Sequence, residues 1–312
     1  MVESLVNTGL DFIFKGGTSL ILLLDEIKRF SVDVDIITEE SQEKVKQIIR
    51  EIIDNQDLFT RVEENIRENE VSKRMEIAHY KFFFNSDTDD SEKYILLDIA
   101  FESNKYARVI EKRIKNTKLN VKSNLLVRVP SIESILGDKL TVLAPRTTGI
   151  SYNSEKELEL MKQLYDVDKL FNEAEDVYEI RESFINIANR EIEYRKLKEI
   201  TYEDVLNDIE DFTKDIIYRE NKENLNKITV GMRKFTNFML ERKFLIDKEA
   251  LIAASKVAYL VYLIKNNKSE IERYRVGNIE GIGIPIEYRK RLKVIQRINK
   301  EAYYYIVKSM RD

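Results

Sequence analysis

The strongest constraint on the fold is a long stretch of sequence that almost lacks helix-breaking residues. Residues 155–265 contain one glycine, Gly231, and no proline, and they are rich in Glu, Lys, Leu and Ile. These four residue types favour helices, whereas glycine and proline interrupt them. The sequence therefore predicts consecutive helices over this stretch. Residues 277–285 interrupt the series, and residues 286–312 predict one more helix.

The first half of the chain has a different pattern, in which short apolar segments alternate with amphipathic ones. Five segments have the apolar runs or the period-two alternation of strands: residues 12–14, 32–36, 75–84, 94–101 and 125–129. Three segments predict helices: residues 19–28, 41–54 and 131–144. We therefore predict an α+β fold, with a mixed sheet in a domain of residues 1–147 and an all-helical domain of residues 148–312.

The composition excludes several kinds of chemistry. The chain has no cysteine, which excludes disulfide scaffolds, thiolate metal sites and thiol nucleophiles. His79 is the single histidine, so a site built from several histidines is excluded, and its place in a predicted strand favours a structural role. The longest apolar run, residues 20–24, is far shorter than the ~20 residues that span a bilayer. We expect a cytoplasmic protein that does not contact membranes.

The first candidate functional feature is a pair of glycines at the start of a predicted helix. Gly16 and Gly17 let the backbone approach a ligand closely, and a helix N-terminus offers free N–H groups and positive charge. Thr18 and Ser19 add hydroxyl groups next to them. We predict that these four residues bind phosphate, although two glycines alone could equally form a tight turn.

The second candidate feature is a set of three acidic residues in predicted strands. Asp33 and Asp35 are two residues apart, so both carboxylates project from one face of a strand. The alternate apolar side chains are expected to point into the core: Val32, Val34 and Ile36. Asp98 lies in another apolar strand, where a carboxylate is costly unless it is paired or bound to a metal. Carboxylate oxygens suit Mg²⁺, or Mn²⁺, and three of them on neighbouring strands predict a two-metal site for phosphoryl transfer.

Simpler explanations exist for each of these acids. Asp33 and Asp35 could face solvent on an edge strand. Asp98 could be paired with a neighbouring Lys or Arg. Neither explanation needs a metal, so the carboxylates alone do not settle the function.

Four motifs, taken in order, resemble those of a known family. They are Phe14-Lys15-Gly16-Gly17-Thr18-Ser19-Leu20, Arg29-Phe30-Ser31-Val32-Asp33-Val34-Asp35, Asp138-Lys139-Leu140 through Arg146, and Leu164-Tyr165-Asp166-Val167. The first two, together with an Asp between hydrophobic residues at 98, resemble the polymerase-β-type nucleotidyltransferase superfamily. The full set resembles the AbiEii/AbiGii nucleotidyltransferase toxin family. The similarity covers about residues 12–171, and the order of the motifs makes it specific.

The resemblance implies an N-terminal polymerase-β-type nucleotidyltransferase domain and a helical domain that contributes to the cleft and to acceptor binding. Within that fold, Asp33 and Asp35 resemble the metal-binding pair, and Asp98 matches the third carboxylate of the superfamily. Lys139 resembles the lysine that contacts the nucleotide phosphates. Asp166 resembles a downstream essential acid, expected to position Lys139 or the acceptor.

Further residues follow from the same motifs. Arg146, seven residues after Lys139, is expected to touch phosphate, and Ser31 is expected to help the glycine segment bind the nucleotide. Gln163 replaces the acid that the family has three residues before Asp166, which leaves the support of this helix for the site open. At 100° per residue, Asp166 points away from the apolar face and towards a cleft, whereas Asp168 lies near the edge of that face.

The resemblance also implies a biological role. It implies a toxin that moves a nucleotide from an NTP to an acceptor, for example a tRNA 3′ end, in a type IV toxin–antitoxin or abortive-infection system of phage defence. A cognate antitoxin encoded nearby is then expected as a partner. An acceptor that is a protein hydroxyl, as in AMPylation, and a catalytically inactive scaffold are the alternatives.

Two basic segments are compatible with an RNA partner. Residues 105–128 contain eight basic residues and one acidic residue, and residues 285–312 contain eight basic and three acidic residues. The second segment also carries tyrosines that could stack on bases or pack between helices. Basic runs of this kind are also common on solvated helix faces, so they indicate RNA only in combination with the site.

Overall fold

The computed structural model describes residues 1–55, 58–65, 76–116, 121–241, 243–277 and 288–310. The chain divides into two compact units. The first consists of residues 1–27 and 31–131, and the second of residues 28–30 and 132–312. The boundary between the two units, after residue 131, lies earlier in the chain than the predicted domain boundary after residue 147. The division into domains at residue 147 stays a prediction.

The first unit is built on one sheet. Its described elements are α1 (Val2–Asn7), β1 (Ile13–Lys15), α2 (Gly16–Leu23), β2 (Val34–Thr38), α3 (Gln42–Asn55), β3 (Arg61–Glu64), β4 (Ile77–Asn85), β5 (Glu92–Phe101), β6 (Val109–Asn116) and β7 (Val121–Pro130). The strand order is β3-β4-β5-β2-β1-β7-β6. Because β2 pairs with β5 and β1 with β7 in parallel while the other neighbours are antiparallel, the predicted mixed sheet is confirmed.

The strand β2 follows the predicted alternation only in part. Val34 and Ile36 are buried in the core, as expected. Val32 is 60% exposed, and β2 begins at Val34, so the prediction that Val32 points into the core and that Asp33 lies within the strand is wrong. The backbone carbonyl of Asp33 accepts a hydrogen bond from the Thr18 hydroxyl instead, so this segment is held by α2.

The strands β4 and β5 form the long hairpin that their sequences predict. They pair in antiparallel register from Ile77↔Ala100 to Asn85↔Glu92, and the polar turn between them lies at residues 86–91. Of the predicted strand 75–84, Met75 lies outside the described residues. The hairpin register places every residue of β4 opposite a defined residue of β5.

The second unit is helical, as predicted. Its described helices are α4 (Ile132–Thr141), α5 (Glu157–Glu173), α6 (Val177–Arg195), α7 (Tyr202–Ile217), α8 (Lys222–Thr236), α9 (Glu249–Lys265), α10 (Arg289–Ile298) and α11 (Lys300–Lys308). Gly231 is explained by close packing, because a Cβ at this position of α8 would lie 2.4 Å from the carbonyl oxygen of Glu157 on α5. No helix in the described ranges is long and apolar enough to cross a membrane.

The C-terminal segment forms two helices, so the prediction of one is wrong. Asn299 ends α10 in an extended conformation and starts α11, and its side chain accepts a hydrogen bond from the backbone N–H of Ala302 at 3.0 Å. Asparagine is favoured at such caps because its side chain replaces the missing backbone acceptor. Residues 278–285 of the predicted interruption lie outside the described residues.

Candidate active site

Four polar residues form a row across the sheet of the first unit. Lys15 on β1 is the register partner of Asp35 on β2, Asp35 is the partner of Asp98 on β5, and Asp98 is the partner of His79 on β4. Directly paired residues of adjacent strands project from the same face of a sheet. The topology therefore brings the carboxylates of Asp35 and Asp98 together on one face.

Gly16 makes room for one of these carboxylates. Its φ is +75°, and a Cβ at this position would lie 2.0 Å from Oδ2 of Asp35. Any larger residue would strain the backbone and displace Asp35. The glycine that was predicted to let a ligand approach thus has a second role, because it allows Asp35 to lie against the start of α2.

The hydroxyl of Thr18 joins the first turn of α2 to the segment before β2. It donates a hydrogen bond to the carbonyl oxygen of Asp33 at 2.5 Å, and its oxygen lies 2.8 Å from the Ser31 hydroxyl. Because the Thr18 proton is used for Asp33, the Ser31 hydroxyl donates to Thr18. Two of the predicted site residues, Ser31 and Asp33, are in this way joined to Thr18, the residue after Gly17.

The side chain of Ser19 lies inside the first unit, away from solvent. It is fully buried, and its hydroxyl donates a hydrogen bond to the carbonyl oxygen of Gly16 at 2.9 Å. The side chain therefore stabilises the first turn of α2. This placement does not favour the predicted contact between Ser19 and phosphate.

The donor set fits a hard divalent cation in its chemistry. Asp33 is exposed and Asp35 and Asp98 are half-buried, and carboxylate oxygens are the ligands that Mg²⁺ prefers. In the part of the chain that the structure describes, no group of three Asp, Glu, His or Cys side chains is already gathered closely enough to hold an ion. Asp35 and Asp98 are suitable ligands on one face of the sheet, and the Mg²⁺ site stays a prediction.

Asp98 is paired with a residue that the sequence analysis treated as structural. Its Oδ1 lies 2.6 Å from Nδ1 of His79, and His79 is buried with 6% exposure. The partner is thus a histidine and not the Lys or Arg considered from the sequence. The sequence contains the information for this pairing. A hairpin whose turn is centred between residues 88 and 89 places residues 79 and 98 opposite each other.

In the second unit, Asp166 holds two cations. The Nε and Nη2 atoms of Arg29 donate to its two oxygens at 2.6 Å each, and Nζ of Lys139 lies 2.8 Å from Oδ2. Asp166 is fully buried, and Lys139 and Arg29 are 4% and 7% exposed. The expectation that Asp166 is free to face a cleft is therefore wrong, because the carboxylate is enclosed between two buried bases, whereas the expected contact with Lys139 is present.

The charge state of this cluster follows from its contacts. Burial disfavours the Asp166 carboxylate, but Lys139 and Arg29 outweigh burial and lower its pKa below the usual value. Within this cluster, one buried carboxylate is thus shared between two basic side chains. Gln163, which replaces an acid of the family, accepts a hydrogen bond from Lys139 Nζ at 2.9 Å. The glutamine therefore still supports the lysine.

The local structure explains why these side chains meet. Gln163 and Asp166 are three residues apart on α5, so they share one face of the helix, opposite Lys139 on α4. Arg29 forms an isolated β-bridge with Met239, which fixes the backbone of residues 28–30. No role is predicted for Arg29 from the sequence, although this residue opens the second of the four motifs.

Two other charged residues have separate partners. The guanidinium of Arg146 pairs with Asp211 at 2.8 Å, and its backbone N–H donates to Asp208. These acids repel phosphate, so this setting does not favour the predicted contact between Arg146 and the nucleotide. Asp168 pairs with the buried Lys256 at 2.7 Å and with Lys169 at 2.8 Å, which explains it as part of the helical core.

Comparisons with known proteins give the context for these residues. The family described as nucleotidyl transferase AbiEii toxin, type IV toxin–antitoxin system, matches residues 1–245, which extends the predicted similarity at both ends. Among solved structures, JHP933 from Helicobacter pylori is 16% identical, with a TM-score of 0.48, and the alignment covers 86% of this chain and 88% of that one. An H. pylori protein provisionally assigned as a nucleotidyltransferase is also 16% identical, with a TM-score of 0.47 and coverage of 86% and 91%. No curated protein matches. Since the family match spans most of the chain, this protein belongs to the AbiEii nucleotidyltransferase toxin family of type IV toxin–antitoxin systems.

Proposed function

We propose that this protein is a Mg²⁺-dependent enzyme that transfers a nucleotide from an NTP to an RNA acceptor, with a tRNA 3′ end as the preferred class. We further propose that it acts in the cytoplasm as the toxin of a phage-defence system, with a cognate antitoxin that silences it. The family membership supports nucleotidyl transfer by a toxin. The observation that carries the catalytic proposal is the Asp35–Asp98 pair against Gly16.

In this proposal, the first unit supplies the reacting groups. Asp33, Asp35 and Asp98 would hold Mg²⁺, with two ions as the expected number. Bound there, the metal would neutralise the triphosphate and favour the deprotonated acceptor hydroxyl. The N–H groups at the start of α2, after Gly16, would bind phosphate oxygens.

The reaction itself is a displacement at phosphorus. The acceptor hydroxyl oxygen forms a bond to the α-phosphorus, the bond from that phosphorus to the β-phosphate oxygen breaks, and pyrophosphate leaves. Asp98 would accept the proton of the acceptor hydroxyl. Thr18 would keep Asp33 at the helix start during these steps through its hydrogen bond to the Asp33 carbonyl.

Lys139 is the proposed phosphate contact of the second unit. Its Nζ is held by Asp166, which also pairs with Arg29. A positive charge held at a fixed position stabilises the charge that develops on departing pyrophosphate. Asp166 would act by holding Lys139 in place.

The RNA part of the proposal rests on two basic surfaces. Arg113 and Arg128 are exposed on β6 and β7, but Arg128 is paired with Asp11, so this surface is the weaker candidate of the two. The helix α10 buries Leu292 and Ile295 and exposes four basic side chains: Arg289, Lys290, Lys293 and Arg297. Both surfaces can neutralise a phosphate backbone. The C-terminal tyrosines at 303–305 are buried, so helix packing explains them better than base stacking.

A labelling experiment tests the proposal. The purified protein is incubated with each α-³²P-labelled NTP, Mg²⁺ and total cellular RNA, and labelled products are separated with and without RNase. We expect RNase-sensitive label in the tRNA fraction, and its loss in Asp35→Asn. Asp25→Asn is the matched control, because Asp25 is an exposed acid of the same unit outside the row.

The outcomes separate the parts of the proposal. Transfer by Asp35→Asn at the wild-type rate would overturn the catalytic site. Label that resists RNase and is removed by protease would replace the RNA acceptor with a protein. Wild-type label in RNA after Lys290→Glu, Lys293→Glu and Arg297→Glu are combined would overturn the role of α10.

A further inference from the structure

We propose that His79 is a positioning residue, which holds the carboxylate of Asp98 in the orientation that metal binding requires. The inference rests on the proposed function, because it assigns Asp98 a metal-binding role. It adds a residue that none of the motifs contains. The observations that carry it are the position of His79 in the sheet and the geometry of its ring.

His79 is well placed to act as a fixed support. It lies on β4, which has β3 on one side and β5 on the other, and its backbone carbonyl accepts a hydrogen bond from the N–H of Asn65 at 2.7 Å. On the other side, His79 is the register partner of Asp98. Since the backbone is held on both sides and the side chain is 6% exposed, the ring has little freedom to move.

The contact between the two side chains defines the tautomer. An ionised carboxylate only accepts hydrogen bonds, so Nδ1 of His79 donates to Oδ1 of Asp98 at 2.6 Å. The other ring nitrogen, Nε2, is buried and has no hydrogen-bond partner among the described residues. An N–H at that place would be a buried donor without an acceptor, which is costly, so Nε2 carries the lone pair.

The hydrogen bond from His79 occupies one of the two oxygens of the Asp98 carboxylate. Oδ1 is held by the histidine, and rotation of the carboxylate would break a short hydrogen bond whose acceptor is charged. The orientation of Asp98 beside its partner Asp35 is therefore set before any ligand binds. Removal of a group that orients a metal ligand typically weakens metal affinity by about 10–100-fold.

The test measures metal binding without nucleotide, so that it does not depend on activity. Mn²⁺ is titrated into the full chain, purified without a histidine tag, and free Mn²⁺ is followed by electron paramagnetic resonance. We expect His79→Leu, which removes the donor, to bind Mn²⁺ about 10–100-fold more weakly than wild type. We expect His79→Asn to bind close to wild type, because the amide nitrogen of asparagine can take the place of Nδ1.

A second measurement keeps the inference testable if His79→Leu does not fold. Because the chain has a single histidine, ¹⁵N-histidine labelling gives one imidazole, whose two nitrogens report their protonation separately. We expect the proton on Nδ1, the nitrogen that faces Asp98, in the wild-type protein, and loss of this preference in Asp98→Asn. The opposite tautomer in wild type would overturn the proposed contact.

The possible results distinguish this inference from the function on which it rests. Wild-type Mn²⁺ affinity in folded His79→Leu would overturn the role of His79 and leave the proposed function intact. No Mn²⁺ binding by the wild-type protein would overturn the metal site, and the role of His79 with it. Weak binding in His79→Leu with recovery in His79→Asn would support the proposal.

Discussion

Asp166→Asn is the substitution whose effect the structure defines most fully. The change removes one negative charge and keeps the shape of the side chain. Asp166 is fully buried between Arg29 and Lys139, with contacts of 2.6 to 2.8 Å. The variant would therefore bury two positive charges without a compensating carboxylate.

The expected loss of stability is large. Breaking a buried ion pair by removing one partner costs about 3–5 kcal/mol, because the remaining charge stays buried. In a unit of this size, each 1 kcal/mol lowers the melting temperature by about 2–4 °C, so a decrease of roughly 6–20 °C is expected. We expect the free energy of unfolding from urea titrations to fall by the same amount of about 3–5 kcal/mol.

The pH dependence gives an independent check on this cause. The pKa of Asp166 is lowered in the folded protein, so its contribution is present above the unfolded value of about 3.9 and is lost as the pH falls through the folded pKa. The stability difference between wild type and Asp166→Asn should therefore be constant from pH 6 to 8. It should shrink below about pH 4.

Asp168→Asn is the matched control on the same helix. Asp168 is also buried and pairs with two lysines, but Lys256 keeps a contact with Glu301 at 3.3 Å, and Lys169 is about a third exposed. We expect a smaller loss, about 3 kcal/mol or less, and unchanged nucleotide transfer per folded molecule. An Asp166→Asn variant that unfolds at the wild-type temperature, or transfers nucleotide as well as Asp168→Asn does, would refute this reasoning.

Three further predictions follow from the contacts of single residues. Gly16→Ala should lower nucleotide transfer at least tenfold, because its Cβ would displace Asp35. Gly9 has a similar φ of +73° with open space around it, so Gly9→Ala should show only the backbone strain of about 1–2 kcal/mol and keep its activity. Arg29→Lys should reduce the free energy of unfolding in urea by about 1.5–3 kcal/mol, because lysine cannot reproduce the two parallel hydrogen bonds to Asp166; equal stability would contradict this. Arg146→Ala should change the KM for NTP much less than Lys139→Ala, since Arg146 pairs with Asp211; similar increases in both variants would restore the phosphate role of Arg146.

The fold could be predicted from the sequence where local patterns decide it. The scarcity of glycine and proline after residue 155 predicted the helices, and the alternating strands with their polar turn predicted the β4–β5 hairpin. The break at Asn299 was missed, because the signal is one capping side chain within a sequence that otherwise favours helix. The start of β2 was misplaced because a hydrogen bond from Thr18, distant in sequence, holds the backbone of Asp33.

The candidate site could be predicted in its residue types but not in its contacts. The motifs predicted Asp35, Asp98, Lys139 and Asp166 as site residues. In the structure, Asp35 and Asp98 are register partners in the first unit, and Lys139 and Asp166 form an ion pair in the second. The bidentate contact of Arg29 and the buried state of Asp166 depend on residues far apart in the chain, so periodicity alone could not reveal them. The pairing of His79 could have been found by counting residues from the hairpin turn.

The most direct test of the central claim is the location of a bound metal. Crystals of the protein soaked with Mn²⁺ and a non-hydrolysable NTP would be measured for anomalous scattering. We predict a peak at about 2.1 Å from carboxylate oxygens of both Asp35 and Asp98, with the triphosphate bound at the start of α2. A peak that contacts neither carboxylate, or a triphosphate bound without metal away from Gly16, would contradict the proposed active site.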